Sequence, residues 1–277
     1  MSKRIFFVRI IKELCEELGI EAETYSNDWG FRLRKNGKTR YIVGYHFPLN
    51  RSSAKELCQD KSLTYDALRS AGVPAVPHLF IPSRAAGGDG DLTKLRPLLE
   101  QMIRKDGYVV VKDNYGTGGN RVFRFTDADE AIAKVAELHE IMYGASICPW
   151  QEIREEYRVT MFQGEPQLMI RKERRFRERE DGTKEYLEWR HNLGLGAVAE
   201  VVTDPEILRK VEEIAVRAAE ALDIAFASVD VIDTPEGLKV LEVNAGVMME
   251  HFAGQDEATY ELAKSVYRKA LVKAFEE

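Results

Sequence analysis

Asp230, Glu242 and Asn244 are the residues whose types and spacing most directly suggest chemistry. They lie in FASVDVIDTPEGLKVLEVNAGVMME, Phe226 to Glu250, where two apolar, β-branched runs (Phe226 to Ile232 and Leu238 to Val243) flank Thr234-Pro235-Glu236-Gly237. Turn residues between two such runs predict a β-hairpin. Residues two apart on a strand share a face, so Glu242 and Asn244 point the same way, and Asp230 falls opposite Glu242 to within one residue of register. Two carboxylates and an amide oxygen are hard donors, too few for an all-protein cage. They suit magnesium that keeps waters and takes its other ligands from phosphates. The plainer alternative makes Asp230 and Asp233 strand-end and turn residues and leaves Glu242 exposed. Glu242, however, lies within Val240-Leu241-Glu242-Val243, where a core-facing carboxylate is costly unless paired or metal-bound.

A second stretch, YVVVKDNYGTGGNRVFRF, runs a buried strand (Tyr108 to Val111) into Lys112, then through Tyr115-Gly116-Thr117-Gly118-Gly119-Asn120 into a strand from Val122 to Phe125. Glycines let backbone N–H groups approach phosphate oxygens, and the lysine adds charge. The loop is neither a Walker loop nor the dinucleotide fingerprint, because G-x-x-x-x-G-K-[ST] is absent and a strand follows. A mobile turn is the plainer reading of the loop alone.

Further cations gather on a hairpin expected over Tyr157 to Phe162 and Gln167 to Arg171, with Arg158 on its first strand and Lys172 just after the second. The charged run Arg171 to Glu180, with Arg174, Arg175, Arg177 and Arg179, reads as a solvated loop. Trp189-Arg190-His191-Asn192-Leu193-Gly194-Leu195-Gly196 combines an aromatic, a cation, an imidazole, an amide and two glycines, a composition fit to line a site. His191 and His251 are candidate general bases, although a lone histidine is more often structural.

Elements must position these residues. Apolar spacing predicts helices over Phe6 to Leu18, Ser52 to Cys58, Leu63 to Ser70, Leu92 to Arg104, Ala128 to Tyr143, Pro205 to Leu222 and Glu257 to Phe275. Short strands are expected at Ile20 to Tyr25, Trp29 to Leu33, Thr39 to Val43 and Leu79 to Ile81, the second and third joined through Asn36-Gly37. Ala85 to Gly90 reads as a loop. The 277 residues suffice for one large lobe or two to three small ones, and 44% hydrophobic with 31% charged residues is an ordinary globular composition. No apolar run could span a bilayer, and Arg9, Lys12 and Glu13 interrupt the N-terminal run too early for a signal peptide. Three scattered cysteines argue against disulfides and zinc and accord with a reducing cytoplasm. A net charge of −6 disfavours nucleic acid as a partner.

With those residues in hand, the chain resembles the ATP-grasp superfamily of carboxylate–amine ligases. The resemblance rests on the order of Asp60-Lys61 before a helix ending in Gly72-Val73-Pro74, Val109-Val110-Val111-Lys112 before the glycine loop, Gln151-Glu152-Ile153 with Glu156-Tyr157-Arg158, Arg190-His191-Asn192-Leu193, and Asp230 with Glu242-Val243-Asn244. It runs from about Ser52 to Phe252 and is strongest to cyanophycin synthetase, bifunctional glutathione synthetase and the RimK-type glutamate ligases. The implied fold is α+β, two lobes sandwiching ATP: a reduced N-terminal α/β subdomain (1–58), a first lobe with the glycine loop (59–147) and a second with the magnesium site (148–277).

The resemblance implies that Lys61 and Lys112 contact phosphates and that Gly116, Thr117, Gly118 and Gly119 cover them. Gln151, Glu152 and Ile153 would hold adenine, with Pro149 and Trp150 beside them, and Glu156 would accept the ribose hydroxyls. Asp230, Glu242 and Asn244 would bind two magnesium ions, manganese being an alternative. Arg190 and Asn192, with Arg158 and Lys172, would face the reacting groups. The implied reaction joins a small-molecule carboxylate to an amine through an acyl phosphate, the substrate an amino acid or short peptide. An ATP-grasp kinase and a non-catalytic nucleotide-binding regulator are the alternatives. A homo-oligomer remains open.

Overall fold

A computed structural model describes residues 4–179 and 184–276. The chain opens with α1 (Ile5–Leu18), which stops at Gly19 in the left-handed conformation, φ 61°. An antiparallel sheet follows, ordered β1 (Glu21–Tyr25), β2 (Gly30–Lys35) and β3 (Lys38–Val43). The β2–β3 turn places Asn36 and Gly37 at φ 51° and 74°, the double left-handed geometry that an Asn-Gly pair favours. Phe7, Ile10, Ile11 and Leu14 of α1 pack with Phe31, Leu33 and Ile42 of this sheet and with Tyr260, Ala263, Tyr267 and Leu271 near the C-terminus. The first fifty residues therefore share a core with the end of the chain. Glu250 caps α1 from 243 residues away: its carboxylate oxygens accept from Phe6 N and Phe7 N, each at 2.9 Å.

Next come α2 (Ser52–Gln59) and α3 (Lys61–Ser70), the latter capped by Asp60, whose side chain accepts from Leu63 N. The first lobe comprises β4 (Leu79–Pro82), α4 (Arg96–Asp106), β5 (Val109–Asp113), β6 (Val122–Phe125), α5 (Ala128–His139) and β7 (Gly144–Pro149). Its sheet is antiparallel in the order β4-β7-β5-β6. Val109, Val111, Ala145 and Ile147 face α4 and α5. The helix expected from Leu92 starts at Arg96, because Asp91 caps a separate 3-10 turn over Leu92–Leu95. The helix expected to reach Tyr143 ends at His139 so that the chain can reverse into β7. A side chain at Gly144 would meet the Phe80 ring at 2.3 Å, so β7 begins where only glycine fits.

The second lobe contains β8 (Glu155–Phe162), β9 (Glu165–Glu173), a small arm of β10 (Phe176–Glu178) and β11 (Lys184–Tyr186), then β12 (Val198–Val201), α6 (Pro205–Ala221), β13 (Phe226–Thr234) and β14 (Gly237–Asn244). Short α7 (Glu250–Ala253) and long α8 (Glu257–Glu276) close the chain. The main sheet is antiparallel, ordered β12-β9-β8-β13-β14, and packs one face on α6 through Val159, Val229, Val231, Val240 and Val243. A bulge after Asp230 skips Leu241, which lets Val240 and Val243, three apart, face the same core. No helix among the described residues is long and apolar enough to cross a membrane.

Candidate active site

Alternation along the two sheets creates two polar faces that meet. In the first lobe Val110 and Lys112 pair across to Cys148 and Ser146, turning away from the core formed by Val109, Val111, Ala145 and Ile147. In the second, Arg158 and Glu156 pair with Asp230 and Ile232, Asp230 pairs with Glu242 and Ser228 with Asn244. Asp230 stands directly opposite Glu242, as the hairpin pattern predicts. A small apolar cluster joins the lobes: Val76, Val110 and Cys148 meet Ile232, with Val122, Trp150, Ile153 and Leu241 around them.

The second-lobe face carries a buried ion network. Arg158 donates to both Asp230 oxygens at 2.7 Å. Lys172 reaches Glu156 at 2.6 Å and Asp230 at 2.9 Å. Burial alone would push the Asp230 carboxyl up, but Arg158 and Lys172 outweigh it and hold it at about 2. Burial, with neighbouring Asp230, raises the Glu156 carboxyl despite Lys172. Asp230 oxygens are thus already engaged by two cations. Glu242, half-buried, accepts from Asn244 Nδ2 at 2.8 Å. No three His, Cys, Asp or Glu side chains converge as a metal-holding group among the described residues. The oxygen donors of Glu242 and Asn244 are of the kind a hard divalent cation takes, whereas both Asp230 oxygens are taken by Arg158 and Lys172.

Lys61 begins α3 and donates to the Gly116 carbonyl. Burial lowers its amine, Glu242 opposes that effect and Lys112 adds to it, which places Lys61 within reach of the acidic hairpin's field and beside Lys112. The glycine loop is shaped by Asp113, whose side chain accepts from Tyr115 N at 2.9 Å, and by left-handed Gly118 and Gly119 at φ 67° and 71°. Arg190 Nη1 donates to the Gly119 carbonyl at 2.7 Å, and Asn192 lies 3.0 Å from where a Gly119 Cβ would stand. Thr117 lies between Gly116 and Gly118, its carbonyl accepting from Asn120 N at 3.3 Å. Arg190 is held on its other side by Glu188, in bonds of 2.8 and 2.9 Å. Those bonds draw the Glu188 carboxyl below its ordinary range.

At the lobe crossing, Gln151 accepts from Lys239 Nζ at 3.0 Å and Ile153 packs in the apolar cluster, whereas Glu152 is exposed. His191 Nδ1 sits 3.0 Å from the Lys172 carbonyl, and burial lowers its imidazole to about 4, which keeps it neutral. His251 lies 3.4 Å from the position of a Gly194 Cβ, beside the Asn192 segment. Among the arginines of the arm, Arg174 stacks on Tyr186 at 3.8 Å, Arg177 and Arg179 pair with Glu185, and Arg175 is exposed. Glu180, the end of that run, lies outside the described residues.

Several further polar residues at this cleft lie outside the motifs read from the sequence. His78 is buried, donates through Nδ1 to the Val76 carbonyl at 2.8 Å and leaves Nε2 without a partner. Burial, then Lys112, lowers its imidazole well below the ordinary value. Ser146 Oγ and Asn114 Nδ2 are likewise buried without partners. The place of His78 depends on segment 74–76 pairing with β14, where Val76 N donates to the Val240 carbonyl and Val240 N to that of Pro74, both at 2.9 Å. For Ser146, alternation with Ala145 and Ile147 is a usable signal once Gly144 is taken as the strand start.

Comparison with known proteins agrees with this architecture. A family model described as the RimK-like ATP-grasp domain matches residues 81–266. The chain is 43% identical over 81 residues to a probable alpha-L-glutamate ligase of Mannheimia succiniciproducens, a match covering 27% of this chain and 25% of that one. It is 40% identical over 57 residues to tetrahydromethanopterin:alpha-L-glutamate ligase of Methanocaldococcus jannaschii, covering 21% and 19%. The matched segments thus span about a quarter or less of those relatives. The D-alanine–D-alanine ligase of Bacillus anthracis complexed with ATP superposes with a TM-score of 0.60 over 82% of this chain and 71% of that one, at 20% identity, a likeness of fold. With two thirds of its length matched by the family model and the lobes arranged as above, the chain belongs to the RimK-like ATP-grasp family.

Proposed function

We propose that this protein is an ATP-dependent carboxylate–amine ligase that forms an amide or peptide bond through an acyl phosphate, acting on an amino acid or short peptide. The observation that carries the reading is the seating of Arg190 and Asn192 on Gly119, which brings a cation and an amide from the second lobe onto the loop best shaped to cover phosphates. ATP-grasp ligases use ATP and Mg2+. Lys61 and Lys112 take the phosphates of ATP, the backbone of 116–119 covers them, and the apolar cluster with the 151–153 backbone receives the base. Glu156 takes the ribose hydroxyls. Asp230, Glu242 and Asn244 would hold two magnesium ions, or manganese. Metal bound there supplies charge neutralisation for the transferring phosphoryl group.

Arg190, steered by Glu188, orients the substrate carboxylate against the phosphoryl group, and Asn192 closes the loop over both. A carboxylate oxygen attacks the γ-phosphorus as its bond to ADP breaks. The amine nitrogen then attacks the acyl carbon, phosphate leaves, and the amine's proton passes to solvent. Arg158 and Lys172 are held by Asp230 and Glu156, which gives the wall of the cleft two charges of each sign. Neutral His191 is buried against the Lys172 carbonyl and holds the segment rather than moving a proton. The three cysteines, all buried and free, accord with a reducing cytoplasm.

The test is hydroxamate formation. Purified protein, ATP, magnesium and hydroxylamine are incubated with pools of amino acids and small carboxylates, and ADP and hydroxamate are followed together. Hydroxamate in step with ADP identifies the activated carboxylate. ADP with a stable phosphorylated product and no hydroxamate would make the protein a kinase and refute the ligase reading.

A further inference from the structure

Arg124 stands at the centre of aromatic rings drawn from three separate parts of the chain. Its guanidinium carbon lies 4.9 Å from the ring centroid of Tyr108, 5.4 Å from that of Trp150 and 5.3 Å from that of Trp189. The rings also meet one another, Tyr108 with Trp150 at 5.2 Å and Trp150 with Trp189 at 5.5 Å. Tyr108 precedes β5, Arg124 is on edge strand β6, Trp150 follows β7 at the lobe crossing, and Trp189 adjoins Arg190 in the second lobe. Arg124 pairs with Val110, so it stands on the cleft side of its sheet and not in the α4–α5 core.

A cation over several π faces is attracted by each ring's quadrupole, and a planar guanidinium stacks where an ammonium does not. The ring of contacts ties the first lobe to the residue immediately before Arg190. Arg190 itself reaches Gly119 at 2.7 Å, while its other side is held by Glu188 from its own segment. Without the tie through Trp189, the Glu188–Arg190 unit stays intact but, among the described residues, is left with the Arg190–Gly119 hydrogen bond to the first lobe.

We propose that Arg124 is a positioning residue: through Trp189 and Trp150 it fixes Arg190 and Asn192 over the glycine loop. The proposal rests on the reading of Arg190 as the group that faces the transferred phosphoryl, and its test keeps the two separate. Arg124→Met and Arg124→Lys are made in the full chain, with Trp189→Phe to assign the fluorescence. Arg124 is exposed on an edge strand, so the urea midpoint should match that of the unaltered protein. The remaining tryptophan, Trp29, packs under Arg4 away from this cluster and gives a constant background.

Arg124→Met should red-shift the tryptophan emission and increase acrylamide quenching, and the shift should shrink in the Trp189→Phe background, where of the two tryptophans only Trp150 still meets Arg124. With the carboxylate found by the hydroxamate assay, its kcat should fall about tenfold while KM for ATP moves less than about threefold. Arg124→Lys, which keeps the cation, should recover part of both. Unchanged emission and quenching in Arg124→Met would overturn the proposal. So would a rise in KM for ATP that accounts for the whole loss, or a lysine variant no better than methionine. If no carboxylate is activated by any form of the protein, the ligase reading fails, and the emission of Arg124→Met alone decides whether Arg124 holds Trp189.

Discussion

Asp230→Asn should weaken folding as well as stop turnover, although the hairpin pattern alone predicts loss of turnover with the fold intact. The Asp230 side chain is 3% exposed and accepts from Arg158 and Lys172, themselves 15% and 4% exposed. Asparagine keeps the volume but removes the charge and turns one acceptor into an amide donor facing a guanidinium. Two buried cations then share one buried anion, Glu156. Removing one partner from such a network costs about 3–5 kcal/mol. Linkage points the same way: the carboxyl is held at about 2 against an ordinary 3.8, so its ionised form favours the folded state. Because the folded value is depressed, this stability is fully present above pH 4 or so and is lost as pH falls through about 2.

The assay is urea unfolding followed by circular dichroism at pH 7 in EDTA, with Glu242→Gln as comparison. Glu242 is half-buried and its side chain bonds to Asn244, so glutamine should cost less than about 1 kcal/mol while still abolishing turnover. An Asp230→Asn variant within about 0.5 kcal/mol of the unaltered protein would refute the ion network as a source of stability. Normal turnover in both variants would refute the metal assignment.

Gly119→Ala places a side chain at φ 71° and 3.0 Å from Asn192, so turnover should fall about tenfold or more with a stability cost near 1 kcal/mol; an unchanged kcat would remove the loop contact from the mechanism. Glu250→Gln leaves one acceptor oxygen for two backbone donors at the start of α1, and the urea midpoint should report a loss of about 1–3 kcal/mol. Unaltered stability in that variant would show that the cap contributes nothing. Glu156 has a raised carboxyl, the opposite sense to Asp230, so protonating it favours the folded state as pH falls from 7 toward its ordinary 4.5. The stability of the unaltered protein relative to Glu156→Gln should therefore rise across that window in EDTA, and a flat difference would contradict the burial argument.

Local patterning carried much of the fold. Period-two alternation set Asp230 opposite Glu242 to within one residue of register, and Asn36-Gly37 was enough to define the β2–β3 turn. Helix ends were less legible, because a 3-10 turn before Arg96 and the early stop at His139 depend on Asp91 and on space beside Phe80. The glycine loop was visible as a composition. Its contact with Arg190, 71 residues away, was not, since nothing in either segment specifies the other.

The acidic hairpin shows where sequence reasoning stops and why. Residue type and period identify which carboxylates face the cleft, because each strand's own alternation decides that. Which partner each one takes depends on the neighbouring strand, and β13 lies between β14, its hairpin mate, and β8, which precedes it by more than sixty residues. The hairpin mate brings Glu242 and Asn244, so the local view gives a set of oxygen donors. The distant neighbour brings Arg158, and β9 beyond it brings Lys172, so the same carboxylate acquires two cations. Arg158, Lys172, Asp230 and Glu156 together are two charges of each sign, which is how four ionisable groups can share a nearly dry sheet face. On the proposed reading, a metal at Asp230 would therefore exchange with cations rather than fill a free site, an expectation that depends on strand order and could not have come from the hairpin alone.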